Sequence, residues 1–252
     1  MKKIITFIFI MNFLAINGFA QEKNDSILDK TNDSITKNDS ITDITSDKTS
    51  KKDQLILSFN IYSDIWQNAP DYMKIRTINQ GTDICIMYNT PFGKSNFSFS
   101  AGLSIGSHNL YSDAIPEIDT TNKTIFSPIA DSIDYSKNKL TVAYLDIPVE
   151  FRFKIKNKND KSFKIALGFK AGRLINSYTK YRGDDYLFGT DKKLNVKFQD
   201  IKNINLYRYG ITGKIGYEWI NIMVYYSLTN LFEKDKGPEM YPISVGISFA
   251  SF

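Results

Sequence analysis

From Leu55 onward the chain alternates apolar and polar residues with a period of two. Leu55, Leu57, Phe59 and Ile61 alternate with Ile56, Ser58, Asn60 and Tyr62. Ile84, Ile86 and Tyr88 alternate with Asp83, Cys85, Met87 and Asn89, and Phe97 to Ile105 repeats the pattern against Ser98, Ser100, Gly102, Ser104 and Gly106. The same rhythm runs from Leu145 to Phe153, from Phe163 to Phe169, from Tyr207 to Trp219, from Ile222 to Leu228 and from Tyr241 to Phe249. Strict alternation places one residue set on each face of a strand, so eight strands are predicted, each with an apolar and a polar face. Every charge within these central spans falls on the polar face. The apolar face runs uncharged for roughly nine residues at a time, the length a tilted strand needs to cross hydrocarbon.

Alternation alone also fits a soluble sandwich, and three further features favour a barrel. Connection lengths alternate: Pro91 to Asn96, Lys156 to Lys161 and the residues around Ile220 and Asn221 are short turns, whereas Asp64 to Gln80, Leu110 to Lys139, Tyr178 to Asn203 and Phe232 to Met240 are long. Short turns at one end and long loops at the other form the outer-membrane arrangement, with the long loops outside the cell. Aromatics gather near strand ends, at Tyr62, Trp66, Tyr111, Tyr178, Tyr181, Tyr207, Trp219 and Phe249, as two interfacial girdles require. The chain also ends on an aromatic strand, a usual address for barrel-assembly machinery. Phe252 is out of phase with the set ending at Phe249, which points to Phe249 plus a short extension as that address. Pro148 and Pro242 fall inside strands that have no free edge for a missing donor. A bulge is expected at Pro148 and a strand start at Pro242.

The first residues read as a secretory signal: Lys2 and Lys3, an apolar run from Ile4 to Leu14, and the small-x-small site Gly18-Phe19-Ala20. Cleavage is expected after Ala20. Residues 21–53 repeat NDSI at Asn24, Asn32 and Asn38, contain no aromatics and are rich in Asp, Asn, Ser, Thr and Lys. Such a segment cannot bury enough apolar surface to offset its ordering entropy, so it reads as a disordered periplasmic tail. The expected organisation is a signal peptide at 1–20, the tail at 21–53 and a barrel domain at 54–252. The fold class is all-β, an eight-stranded antiparallel transmembrane up-and-down meander. Eight is an even number, so both termini are expected in the periplasm.

Composition supports this class. Tyr (15) and Phe (18) are abundant, and a single Cys excludes an internal disulfide or a Cys-based metal cluster. The net charge of +5 is modest and the charges are interspersed, so no nucleic-acid footprint stands out. No cofactor is called for. Parity sends Asp146, Glu150, Arg152, Lys164, Lys170, Arg208, Lys214 and Glu218 inward. Eight strands enclose a space that side chains just fill, so these charges are expected to plug the lumen as ion pairs instead of lining a pore. Cys85 also points inward and is read as a buried small side chain.

His108 is the only histidine. It sits at the outer end of the third strand, toward the lumen and near Asp113, and the pair is a candidate rim site. Adjacent strand residues point to opposite faces, so Ser107 is poorly placed to serve as a nucleophile for His108. A structural rim histidine is the favoured reading over a lipid-modifying hydrolase.

The strings MYNTPFGKSNFSFSAGLSIGSHNLYSDA, YLDIPVEFRFK, IALGFKAGRLINSYTKY, RYGITGKIGYEW and YYSLTNLFEKDKGPEMYPISVGI, running from near Ile84 toward the C-terminus, resemble PorT-like outer-membrane β-barrel proteins. The resemblance implies an eight-stranded barrel in the cell outer membrane and a family in which the name-giving member is linked to protein secretion and gliding. It brings no catalytic motif. The expected function is a non-enzymatic interaction or assembly component of the cell envelope. The partners are outer-membrane lipid, the barrel-assembly machinery through the last strand, and proteins at the outer loops or tail. A small-barrel hydrolase and a small-solute pore are the rivals.

Overall fold

The computed structural model describes residues 54–156, 162–187, 190 and 192–250. The expected signal peptide, the tail and Phe252 lie outside the described residues, as do positions 157–161 of the Lys156–Lys161 turn. The chain divides into two units, Met1–Asp47 and Lys48–Phe252, and everything described belongs to the second.

In chain order the strands are β1 (Gln54–Gln67), β2 (Gln80–Pro91), β3 (Phe97–Tyr111), β4 (Ala114–Ile118), β5 (Thr124–Pro128), β6 (Tyr135–Lys156), β7 (Ser162–Asp184), β8 (Lys193–Gln199), β9 (Tyr207–Tyr217), β10 (Ile220–Ser227) and β11 (Tyr241–Ala250). Eight of them (β1, β2, β3, β6, β7, β9, β10 and β11) pair antiparallel with their neighbours in sequence, and β11 closes on β1 from Ser58↔Ala250 to Gln67↔Tyr241. This is the expected eight-stranded up-and-down barrel. Closure removes every edge from the ring, which is how a strand structure satisfies its backbone groups in lipid.

Burial is inverted relative to a water-soluble protein. Outward residues are large and apolar, with Leu57, Ile84, Leu167 and Ile222 each more than half exposed. Asn60, Asp64, Asp83, Asp146, Glu150 and Arg152 are buried inside. An apolar surface of this extent has no stable home in water, and in hydrocarbon it is the favoured surface. The inversion excludes the soluble sandwich that alternation alone left open.

The short turns lie at one end and the long links at the other, as expected. The β9–β10 turn is two residues, Glu218 and Trp219, just ahead of the expected Ile220 and Asn221, which instead open β10, and Glu218 is in the left-handed region at φ 57°. The β2–β3 turn uses Gly93 at φ 56°. Aromatic pairs mark both rims of the apolar belt. Phe97 stacks near Phe151 and Phe153, and Trp219 on Phe249, at the short-turn end. Tyr209 packs on Phe169 and Tyr226 on Tyr241 toward the other.

Several expectations need correction. Tyr62, Trp66 and Tyr181 belong to no girdle: they are buried at 6%, 9% and 3% exposure and point inward. Tyr62 and Trp66 follow the inward parity of β1. Tyr181 is inward because β7 is bulged. Tyr144 pairs with Leu174 and Ala143 with Asn176, so Ile175 is extra and every later residue of β7 changes face. Pro148 makes no bulge. Its pairing with β7 runs unbroken as Pro148↔Lys170, and on the other side the β3–β6 ladder lapses between Ala101↔Val149 and Ser104↔Asp146 without a shift of register. The missing donor is accommodated by a local gap in one ladder. Pro242 is the second residue of β11, at the strand start as expected.

The long link from Leu110 to Lys139 contains the β4–β5 hairpin. Part of the Tyr178–Asn203 link is strand too, because β7 runs on to Asp184 and β8 folds back along it. These links pack on the ends of the ring strands in one apolar cluster at the long-loop end: Met73, Phe126, Phe232 and Met240 of the links with Trp66, Leu110 and Leu140 of β1, β3 and β6, among others.

Candidate functional site: the charged lumen and its cap

Period-two alternation delivers a polar residue to the lumen at every second position, and the width of the barrel brings acids and bases from opposite walls within reach. Arg208 of β9 donates to Asp146 of β6 through Nε at 2.9 Å and Nη2 at 2.6 Å. Its guanidinium lies 4.1 Å from the centroid of the Tyr144 ring. This is a two-pronged pair, the geometry a planar fork favours. Lys170 of β7 reaches Asp83 of β2 at 2.8 Å, and the same carboxylate accepts from Asn60 Nδ2 at 2.6 Å. Glu150 of β6 accepts from Lys214 of β9 and from Arg152, both at 2.7 Å. Arg208–Asp146, Lys214–Glu150 and Lys170–Asp83 join strands that are not neighbours in the ring and so tie separate parts of the wall together, whereas Arg152–Glu150 lies within β6 and Asn60–Asp83 spans the adjacent β1 and β2.

Seven of the eight expected inward charges are buried in the lumen: Asp146, Glu150, Arg152, Lys164, Lys170, Arg208 and Lys214. Glu218 is not with them. It forms the β9–β10 turn, where its carboxylate accepts from the Ser162 amide at 2.6 Å and its carbonyl accepts from Lys164 Nζ. Asp64 and Asp83, absent from the expected network, are central to it. The parity of Asp83 was legible, since it shares a face with Cys85, which is itself buried at 3% exposure, whereas Asp64 fell in the expected Asp64–Gln80 link.

The expected His108–Asp113 site does not form. His108 does point into the lumen, buried at 3% exposure, but its Nδ1 lies 2.9 Å from Asp64 of β1. Asp64 also accepts from Ser244 Oγ at 2.6 Å. Asp113 instead holds the β1–β2 link, accepting from the Lys74 amide at 2.8 Å. The strand β3 ends at Tyr111, and the bridge Ile75↔Ser112 carries Asp113 away from the lumen. Ser107 lies on the opposite face from His108, 3.4 Å from the Thr82 hydroxyl. The hydroxyl facing His108 Nε2 is that of Tyr62, at 3.5 Å.

Above this layer is a cavity of about 20 Å³ lined by Trp66, His108, Tyr144, Arg208, Ser227 and Pro242, among others. It has room for about one water. The apolar cluster of the long links lies over it, so this end of the lumen is filled first with paired charge and then with hydrocarbon.

No curated protein and no solved structure matches the chain. The family described as outer membrane protein beta-barrel domain matches residues 72–233. That span begins in the β1–β2 link and ends just after β10, and it takes in all the lumen charges except Asp64. The chain therefore belongs to the outer membrane protein β-barrel domain family.

Proposed function

We propose that this outer-membrane barrel is a non-enzymatic interaction or assembly component of the cell envelope, PorT-like and linked to protein secretion. Both termini lie in the periplasm and the long links face outward. The observation that carries the reading is the apolar cluster seating those links over the lumen. It gives the long-loop end a fixed surface on a rigid scaffold, the usual placement of a binding site. A lumen occupied by cross-wall ion pairs argues against a small-solute pore. The barrel-assembly machinery reads β11 during insertion, and proteins are engaged at the outer links or the N-terminal tail.

The hydrolase reading has one observation in its favour, the buried His108–Asp64 pair. Acyl transfer also needs an activated nucleophile and an opening for lipid. The group facing Nε2 is a tyrosine beneath the apolar cap. Deletion of the gene separates the readings. Loss of specific proteins from the secreted or outer-membrane fractions supports the assembly role. An unchanged secretome with an altered lipid profile supports the hydrolase.

A further inference from the structure

The outward face of β6, β7 and β8 beyond the apolar belt carries cations directly opposite one another. Lys139 pairs in register with Lys180, and Lys180 with Lys197. One rung further out Lys137 pairs with Arg182. Tyr111 of β3 is opposite Lys139, and Arg76 lies over its ring at 5.5 Å. Lys197 stands 4.1 Å from the centroid of Tyr178. Like charges set opposite across a ladder destabilise it, so this arrangement costs stability unless an anion lies over it. Among the described residues none of these six cations has an ion-pair partner. The ion pairs at this end are Lys193–Asp184 and Lys236–Glu233. Burial, joined by Lys137 and Lys180, holds the Lys139 ammonium below its ordinary value, although Tyr178 opposes the shift.

Height identifies the occupant. The outward apolar run of β6 extends from Ile155 to Leu145. At about 3.3 Å per residue and a tilt of roughly 40° this run is about 25 Å tall, the thickness of the belt such barrels present. By the same measure Lys139 stands about 15 Å above Leu145. A phospholipid headgroup layer is only about 5–8 Å deep per leaflet, so its phosphate lies below this rung. Phosphates carried on the outer sugars of a glycolipid, beyond that first headgroup layer, reach this level.

We infer that Lys139, Lys180 and Lys197, flanked by Arg76, Lys137 and Arg182, bind the sugar phosphates of a phosphorylated glycolipid of the outer leaflet. This rests on the outward placement of the long links proposed above. The rings of Tyr111 and Tyr178 hold Arg76, Lys139 and Lys197 in place beyond the belt.

The test uses the full-length protein purified in detergent and titrated, by thermophoresis, with rough-type lipopolysaccharide, with the same glycolipid after dephosphorylation, and with phosphatidylglycerol. Wild-type protein should bind the phosphorylated glycolipid at least about tenfold more tightly than either alternative, because several phosphates on one molecule engage several of these cations at once. The variant Lys139→Gln/Lys180→Gln/Lys197→Gln should lose about tenfold or more. If that variant fails to show heat-modifiable mobility, Arg182→Gln/Lys197→Gln, both at exposed sites, takes its place. Equal binding by the folded variant overturns the inference. So does equal binding of dephosphorylated glycolipid or of phosphatidylglycerol. Binding in detergent does not depend on which way the barrel faces, so an inverted topology, detected by surface proteolysis, is a separate failure.

Discussion

Removing Asp146 alone strands a buried guanidinium, because Arg208 spends both prongs of its fork on that carboxylate. Asp146→Ala should cost about 3–5 kcal/mol, whereas Asp146→Leu with Arg208→Met should cost much less, since removing both charges also removes their desolvation. Urea unfolding in lipid vesicles reads the difference, and equal costs would show that the pair is not a unit. Gly172 tests the same contact sterically. A Cβ there meets Asp146 Oδ1 at 1.9 Å, so Gly172→Ala must push the carboxylate off Arg208. At the hairpin tip the amides of Lys123 and Thr121 each donate to Asp119 at 2.8 Å. The Lys123 amide first, and then the Thr121 hydroxyl, hold the Asp119 carboxyl below its usual value. A depressed carboxyl stabilises the tip fully above the ordinary carboxylate range and loses that contribution as pH falls through the lowered value. Protection of the Thr121 and Lys123 amides, measured against their intrinsic exchange rates, should therefore fall on acidification below about pH 4, and Asp119→Asn should abolish that dependence. Most inward charges were legible from parity alone. The partner of His108 was not, because Asp64 lies 44 positions away, across β2, at a position the alternation assigns to the Asp64–Gln80 link instead of to a strand.

Faces are decided at the level of the strand, and β6 carries the sharpest contrast. Val149 and Phe151 face lipid while Glu150 and Arg152 face the lumen. Val149→Arg, near the middle of the belt, should cost roughly 2–4 kcal/mol. Glu150→Gln leaves Lys214 and Arg152 without their shared carboxylate and destabilises through the lumen instead. If Val149→Arg folds like wild type while inward positions reject every change, the faces are exchanged. Period two made the eight ring strands readable because one face meets lipid and the other the lumen along each central span. It failed past Ile175, where one extra residue exchanges the faces of β7 and carries Tyr181 inward. It also left out β4, β5 and β8, strands of five to seven residues inside the long links, although β8 does alternate, with Leu194 and Val196 half-buried between exposed residues.

Across the whole molecule, even strand number and sided turn lengths underlie the proposed topology, with both termini in the periplasm and the long links outside. Trypsin applied to intact cells should cut at Lys123, in the exposed tip of the β4–β5 hairpin, and spare residues 22–53. Cleavage in the tail instead would invert the orientation. Replacing residues 112–134 with a short turn should leave the ring folded, because its ladders do not pass through that hairpin. Such a barrel should fail to restore a deletion strain, and full restoration would move the working surface elsewhere. The overall architecture was legible because it follows from periodicity and turn length. The cap and the cation ladder were not, because they depend on which links meet over the lumen and on the register between β6, β7 and β8. The central claim is a lipid-facing ring closed by β11 on β1 and tied across by buried ion pairs. Its most direct test is the electrophoretic mobility of the protein extracted from the outer-membrane fraction, compared with and without boiling. The account predicts outer-membrane recovery and a faster-running unboiled band that shifts to full mass on heating. Recovery in the soluble periplasmic fraction with one heat-independent band would contradict it.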